Sequence, residues 1–324
     1  MSSEPQTEER RRYERPERRS YLAKVARLYY LEEMNQRDIA EKLNISIASV
    51  SRALSRAKEL DIVRISISEN LDRLGELEIA MERRWKLDEC LLVPRFGSRA
   101  NTYQEMANRV TELLSRILER GDTLGVSWGE TLKTVSENLG RIGLNEVDVV
   151  PVVGAMGTVE TGIYPNSIAR EFADRIGGRA FLMNTPAVVD SREIRDSLTQ
   201  DSNFQMVRQI WDRLKAVLMS VSALDEETSA YKGGIFTSRE LEMLRERGGS
   251  CATNFSILDA QGRQLDNPIS ERITNLPFDE LTRIPHVVVI AAGEHKIEPL
   301  RSALRGGVAN VLITDMECAE ALLH

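Results

Sequence analysis

Two groups of residues in this 324-residue chain have the types and spacing to do chemistry. The first is small and cationic and lies in Gln36–Lys58, QRDIAEKLNISIASVSRALSRAK. Ile39, Ala40 and Leu43 form the apolar face of a short helix. Asn44 suits the left-handed backbone of a tight turn, and Ser46 can cap a second helix by accepting from its free N–H groups. Ile47, Val50, Leu54 and Ala57 recur at helical spacing and are expected to face the first helix. Ala48, Ser49, Arg52, Ser55 and Arg56 then point outward, small or cationic, as close approach to bases and phosphates requires. The pattern predicts a helix-turn-helix that docks in the major groove of double-stranded operator DNA. The contacts are expected from Arg37, Ser46, Ala48, Ser49, Arg52 and Arg56. An ordinary helical hairpin is the competing reading.

The second group lies at the ends of apolar runs. In Leu124–Thr131, LGVSWGET, Ser127 and Gly129 form a small-residue loop and Thr131 opens a helix. Free N–H groups at a helix start, with hydroxyls beside them, make a cradle for phosphate. In Val153–Thr158, VGAMGT, Gly154 and Gly157 flank Ala155 and Met156 and let the backbone approach a ligand closely. In Ala292–Lys296, AGEHK, Glu294, His295 and Lys296 offer a carboxylate, an imidazole and an ammonium just before a helix. Each piece alone has a plainer reading: a tight turn for the glycines, a surface residue for His295, an exposed pair for Glu294 and Lys296. Trp128 either walls a pocket, stacks on a ligand or belongs to the core. Together the three pieces point to a phosphate-bearing small molecule.

No catalytic residue, metal ion or cofactor is expected. No pair of carboxylates and no Cys/His nucleophile stands out at these ends. Cys90, Cys251 and Cys318 lie far apart without metal-ligand spacing and read as buried free thiols of a reducing compartment.

The elements that must position these residues follow from periodicity. Tyr21–Met34 places Leu22, Val25, Ala26, Tyr29 and Tyr30 on one face of a supporting helix. Asp61–Ser68 alternates apolar and polar residues as a strand would. Asn70–Leu87 carries Leu71, Leu74, Leu77, Glu78 and Met81 on a helical stripe, suited to packing on its own domain alone or against a second subunit as well. Beyond Cys90 apolar runs alternate with helical segments. Strands are expected at Cys90–Val93, Thr123–Val126, Val147–Val153, Ala180–Met183, Ala216–Val221, Val287–Ala292 and Asn310–Ile313. Runs apolar throughout belong to strands covered on both faces. The fold class is therefore α/β: a three-helix head followed by a doubly wound, mostly parallel sheet, whose ligands bind outside the carboxyl ends of strands. Cys251–Leu265 is expected to be a hairpin turning at Asp259–Gly262, and Ser191–Leu214 a helical excursion.

Composition sets the boundaries. Formal net charge is −7, which disfavours nonspecific polyanion binding by the whole molecule. Met1–Ser68 holds 14 Lys/Arg against 11 Asp/Glu, a mildly basic head on an acidic body. No apolar run approaches the ~18 residues of a membrane span, and the start lacks a signal-peptide core. The expected domains are a disordered tail over 1–19, the helix-turn-helix over 20–68, a linker or oligomerisation helix over 69–88, and an effector-binding α/β domain over 89–324.

These residues resemble the SorC family of bacterial transcriptional regulators, whose sugar-binding domain is similar to sugar-phosphate isomerases and deaminases. The resemblance runs from about Tyr21 to His324. It is carried by RDIAEKLNISIASVSRALSRAKELDIVRISI, LGVSWGETL, PVVGAMG, NSIAREFADRIGGRAFLMNTPAVV and VVVIAAGEHKIEPLRSALRGGVANVLITD. It implies a phosphorylated sugar or related carbohydrate as effector, a cytoplasmic location, and dimers or tetramers on DNA. It carries effector contacts onto Ser127, Gly129, Thr131, Gly154 to Gly157, Asn166, Glu294 and Lys296. The chain departs from the pattern at Ser220–Ser222, where members have a Gly-rich strand end, and at Ser250–Ile257, which lacks the usual glycine and acidic residues. The expected function is a ligand-responsive regulator. The alternatives are a sugar-phosphate isomerase or deaminase with a DNA-binding head, and a DNA-binding protein whose second domain only oligomerises.

Overall fold

The computed structural model describes residues 16–60, 62–63, 69–156 and 162–324. Most of the expected tail, the strand expected over Asp61–Ser68 apart from Ile62 and Val63, the Leu71 side chain and Gly157 lie outside the described residues. Two compact units are present, Met1–Glu69 and Asn70–His324.

The first unit packs helices α1 (Pro16–Tyr30), α2 (Gln36–Leu43) and α3 (Ile47–Glu59). α1 begins at Pro16, inside the stretch expected to be tail, because proline suits the first turn of a helix. Its Leu22, Val25 and Ala26 meet Ile39 and Ala40 of α2 and Val50, Leu54 and Ala57 of α3 in one apolar core.

The second unit is built on a seven-stranded parallel sheet. In chain order its elements are α4 (Glu69–Trp85), β1 (Glu89–Val93), α5 (Arg99–Ile117), β2 (Thr123–Val126), α6 (Glu130–Asn138), β3 (Asp148–Pro151), α7 (Pro165–Ile176) and β4 (Arg179–Ala180). Then come α8 (Arg192–Gln200), α9 (Ser202–Trp211), β5 (Leu214–Met219), β6 (Val221–Ser222), α10 (Ser229–Lys232), α11 (Ser238–Glu246), β7 (Gly249–Thr253) and β8 (Ser256–Asp259). The chain ends with α12 (Phe278–Leu281), β9 (His286–Ile290), α13 (Ile297–Arg305), β10 (Val311–Asp315) and α14 (Met316–Leu323). Strand order is β1-β10-β9-β5-β2-β3-β4. Every residue of β2, β3 and β10 is buried, and separate apolar clusters cover the two faces. That is the packing behind the unbroken apolar runs.

The edge strand β1 is closed from within the unit. α4 buries Leu74 and Met81 against the domain core, and its Glu78 and Glu82 accept the backbone N–H groups of Leu92 and Cys90 at 2.8 and 3.0 Å. Carboxylates on an edge strand's free donors also block pairing with another sheet. Desolvation raises the Glu78 pKa above the ordinary carboxylate value.

A small antiparallel sheet, β6-β7-β8, caps one end. Its β7–β8 hairpin turns at Asn254-Phe255, with φ 46° and 64°, a turn that comes before the one the sequence suggests at Asp259–Gly262. The latter is a second turn, closed by Asp259 Oδ1 accepting from the Gln261 and Arg263 N–H groups at 2.9 Å. It brings Gln264 back beside Leu258. The turn at Asn254 escapes sequence reading because a bulky aromatic rarely holds left-handed backbone.

Candidate nucleic-acid interface and ligand cavity

In the first unit the turn chemistry is as the residues require. The Asn35 side chain caps α2 by accepting from the Asp38 N–H at 3.0 Å. Asn44 ends α2 in the left-handed region, φ 52°, and Ser46 Oγ accepts from the Ser49 N–H at 3.1 Å to start α3. Ala48, Ser51, Arg52 and Ser55 are exposed on α3, while Ser49 and Arg56 are half-buried. Arg52 donates to Ser49 Oγ at 3.4 Å and Arg56 pairs with Glu59 at 2.7 Å. Arg37 is exposed on α2, 3.6 Å from Glu41. Ile47 differs from expectation. It is 51% exposed, because side chains in the first turn tilt toward the N-terminus, beyond the edge of the core that Val50 enters.

In the second unit a cavity of about 330 Å³ opens at the carboxyl ends of β2, β5 and β9. Ser127, Trp128, Gly129 and Thr131 line it from β2 and the start of α6, Ser220 from β5, and His295 and Lys296 from the loop after β9. Arg99 and Tyr103 of α5 close one side, and Asn254 and Phe255 cover it.

The loop after β2 leads into a helix start without a side-chain cap. Gly129 takes φ 131°, and no side chain caps α6, so the first N–H groups of the helix are left for a ligand. A Cβ on Gly129 would touch nothing within 4 Å; conformation and not crowding calls for glycine here. Ser127 is buried, and its Oγ donates to Asn254 Oδ1 at 2.9 Å. Trp128 is both wall and core residue: its Nε1 donates to the Ile163 carbonyl at 2.7 Å, and its ring stacks on Phe255 at 5.7 Å.

Charges of both signs line the same cavity, Arg99, His295 and Lys296 beside Glu130, Asp225 and Glu227. Lys296 Nζ donates to the Val221 carbonyl at 2.6 Å. Desolvation holds its pKa below the ordinary lysine value, and Arg99 adds to the lowering. His295 is held below its ordinary value by desolvation, then by Lys296 and Arg99. The Arg99 guanidinium lies over the Tyr103 ring and 3.8 Å from Glu130. Ser220 Oγ is buried without a hydrogen-bond partner among the described residues. Buried hydroxyls are rarely left so, and this one borders the cavity.

Several expected contacts lie elsewhere. A Cβ on Gly154 would come within 2.6 Å of the Ala187 backbone, so this glycine serves chain packing. Ala155 bonds through its backbone to Thr185 and Ala187 at 2.7 and 2.8 Å. Met156 packs against the core. Asn166 clamps the Met183 main chain with bonds of 2.9 and 3.0 Å. Glu294 is exposed and outside the cavity lining. The residues missed from sequence, Arg99, Tyr103, Asp225 and Phe255, come from helix, loop and turn positions that topology alone brings to the strand ends. All three cysteines are free and buried, with burial pushing Cys251 and Cys318 up to about 12. Among the described residues no His/Cys/Asp/Glu cluster could hold a metal ion, and no helix is long and apolar enough to cross a membrane.

A helix-turn-helix ahead of an α/β domain with a cavity at its strand ends is the architecture of a transcriptional regulator with a small-molecule-binding domain. The Sugar-bind model of a sugar-binding domain matches residues 69–324, and the model of sigma-70 region 4 matches residues 25–60. The chain belongs to the SorC family of sugar-binding transcriptional regulators. It is 29% identical to the sorbitol operon regulator of Klebsiella pneumoniae over 93% of this chain and 97% of that one. It is 26% identical to the deoxyribonucleoside regulator of Bacillus subtilis over 95% and 98%. The crystal structure of full-length Klebsiella SorC superposes with a TM-score of 0.73 at 28% identity, covering 95% of this chain and all of that one. A probable sor operon regulator of Shigella flexneri gives 0.71 at 26% identity, over 78% of this chain and all of that one.

Proposed function

We propose that a phosphorylated sugar, or a related carbohydrate, binds at Ser127–Thr131 and controls the binding of operator DNA by the helix-turn-helix. The observation that carries this reading is that the uncapped start of α6 and Lys296 line one cavity. A helix N-terminus contributes about 0.3–1 kcal/mol to an anion at a surface and up to ~2 kcal/mol when partly buried. A desolvated ammonium in the same cavity gains more from a phosphate than an exposed one would. Ser220 Oγ, left open, suits a sugar hydroxyl. The names of the relatives, a sorbitol operon regulator and a deoxyribonucleoside regulator, fit a carbohydrate effector.

On the DNA side Arg37, Ser46, Ala48, Ser49, Arg52 and Arg56 are the proposed contacts, joined by Ile47 at the exposed start of α3. The protein acts in the cytoplasm as a dimer or tetramer. A head of about forty residues binds weakly alone, so pairing through the body sets its affinity. The ligand changes that pairing only through unequal affinity for the DNA-competent and DNA-incompetent arrangements. The chain acts as a regulator and not as an isomerase or deaminase; the exposed position of Glu294, on which turnover would lean, supports this. The test is a thermal-shift panel of sugars and polyols with and without phosphate. A rise in melting temperature with at least one phosphorylated member, lost in Lys296→Met, is expected. Hits confined to unphosphorylated members would contradict the phosphate reading.

A further inference from the structure

A second cavity, of about 560 Å³, opens on the other side of the Asn254–Phe255 turn. Its volume lies within the range of about 300–1,000 Å³ typical of small-molecule pockets. The helical excursion α8–α9 walls one side and the segment before and along α12 the other. α8 buries none of its residues, so core packing does not account for it.

The charge inside selects the ligand. Three carboxylates, Asp196, Asp279 and Glu280, face two guanidiniums, Arg195 and Arg208. Both guanidiniums are already paired, Arg195 with Asp196 at 2.7 Å and Arg208 with Glu280 at 2.5 Å. Both cavities carry more carboxylates than fixed cations. Here, however, both guanidiniums are held in short ion pairs, whereas Lys296 in the first cavity donates to a neutral carbonyl. A phosphate would therefore have to break an ion pair to bind in the second. Arg208 Nη1 is nonetheless buried without a hydrogen-bond partner among the described residues, a donor that a neutral hydroxyl satisfies without adding charge. Paired carboxylates and guanidiniums present acceptors and donors side by side, which matches adjacent hydroxyls on a carbon chain.

The turn joins the two cavities. Phe255 lines both and holds φ 64°, a strained conformation for a bulky residue. Asn275 lines the second cavity and donates Nδ2 to the Asn254 carbonyl at 2.6 Å. Asn254 in turn accepts from Ser127 in the first cavity. A ligand that favours one seating of this turn changes the other site's affinity, and reciprocally.

We propose that the second cavity binds a neutral polyhydroxy compound, a sugar or sugar alcohol without phosphate, and thereby sets the affinity of the first. The coupling rests on the phosphate reading of the first cavity; occupancy of the second does not.

The test is calorimetric titration of the full-length protein with sorbitol, erythritol and ribose, with and without inorganic phosphate. Gln205→Trp and Ser270→Trp fill the second cavity, Lys296→Met disables the first, and an unchanged midpoint of urea unfolding shows that the Trp variants fold. Polyol binding should survive in Lys296→Met and disappear in both Trp variants. Polyol saturation should shift the phosphate Kd by ~5-fold or more. No heat from any of the three polyols, or binding lost in Lys296→Met but kept in the Trp variants, overturns the second site. Polyol binding that leaves the phosphate Kd unchanged overturns the coupling. Trp-sensitive polyol binding in a protein that binds no phosphate upholds the second site while removing the phosphate reading of the first.

Discussion

Ser127 and Asn254 meet through a buried hydrogen bond of 2.9 Å although 127 residues separate them in sequence. This bond ties the loop after β2 to the turn that covers the cavity. Asn254 also reaches the Val152 and Leu276 carbonyls at 3.4 and 3.2 Å, so one amide gathers three segments. Ser127→Ala leaves a buried carbonyl without this donor, at a cost of about 1–3 kcal/mol. The midpoint of urea unfolding should fall accordingly, and ligand affinity with it. An unchanged midpoint would show that the bond carries no weight.

The two glycines expected to act alike should behave differently. Gly154→Ala drives a methyl into the Ala187 backbone and should lose about 1–3 kcal/mol of stability, as overpacking does. The protein that remains folded should bind ligand normally. Gly129→Ala meets no neighbour within 4 Å but keeps a φ of 131°, a strain of order 1–3 kcal/mol relieved by reshaping the cradle. Its ligand affinity should drop. Urea unfolding and ligand titration on both variants separate the effects; equal ligand affinity in the two would refute the distinction.

This contrast marks what the sequence makes legible. The parallel strands show as unbroken apolar runs because helices or loops cover both sheet faces, and the helix-turn-helix shows because Asn44 and Ser46 carry local turn and cap chemistry. The loop Ser127–Thr131 is legible for the same local reason. Gly154 looks like a ligand glycine from sequence, since a close approach to backbone and a close approach to ligand demand the same residue. Asn166 and Glu294 are placed by contacts with Met183 and with solvent that spacing does not encode. Arg99 and Tyr103 are one helix turn apart on α5, and only the sheet order brings them to the cavity. The unusual segments Ser220–Ser222 and Ser250–Ile257 were the available signal for the rest, and both contribute to the cavity lining.

Binding of a sugar phosphate should depend on pH at both ends. Below about pH 6 the phosphate takes up its second proton and loses charge. At alkaline pH Lys296, whose pKa lies below the ordinary 10.5, loses its charge earlier than an exposed lysine would. Affinity should therefore fall on both sides, and Lys296→Arg, which keeps its charge throughout, should remove the alkaline fall. The free protein has the opposite tendency: between the lowered and the ordinary value the unfolded chain binds more protons, so this lysine's contribution to stability rises with pH there. Titrations across pH 5–10 check the first statement, and an alkaline limb unchanged in Lys296→Arg would contradict it.

On the DNA side, Arg52→Ala should weaken operator binding by roughly 1–3 kcal/mol if the guanidinium reads a base. Ile47 and Ala48 offer apolar contacts at the start of α3, suited to the methyl group of thymine. With an operator recovered by in vitro selection, replacing thymines by uracil should weaken wild-type binding at the contacted positions and leave Ile47→Ala indifferent there. Equal sensitivity in both proteins would remove Ile47 from the interface.

The central claim is that a ligand in the cavity at Ser127–Thr131 governs DNA binding. Its most direct test is the operator Kd of the full-length protein, measured at fixed salt with each member of a sugar-phosphate panel. At least one member should shift the Kd by ~5-fold or more, and the same member should have no effect on Lys296→Met. A Kd unmoved by every member, or a shift undiminished in Lys296→Met, would contradict the account.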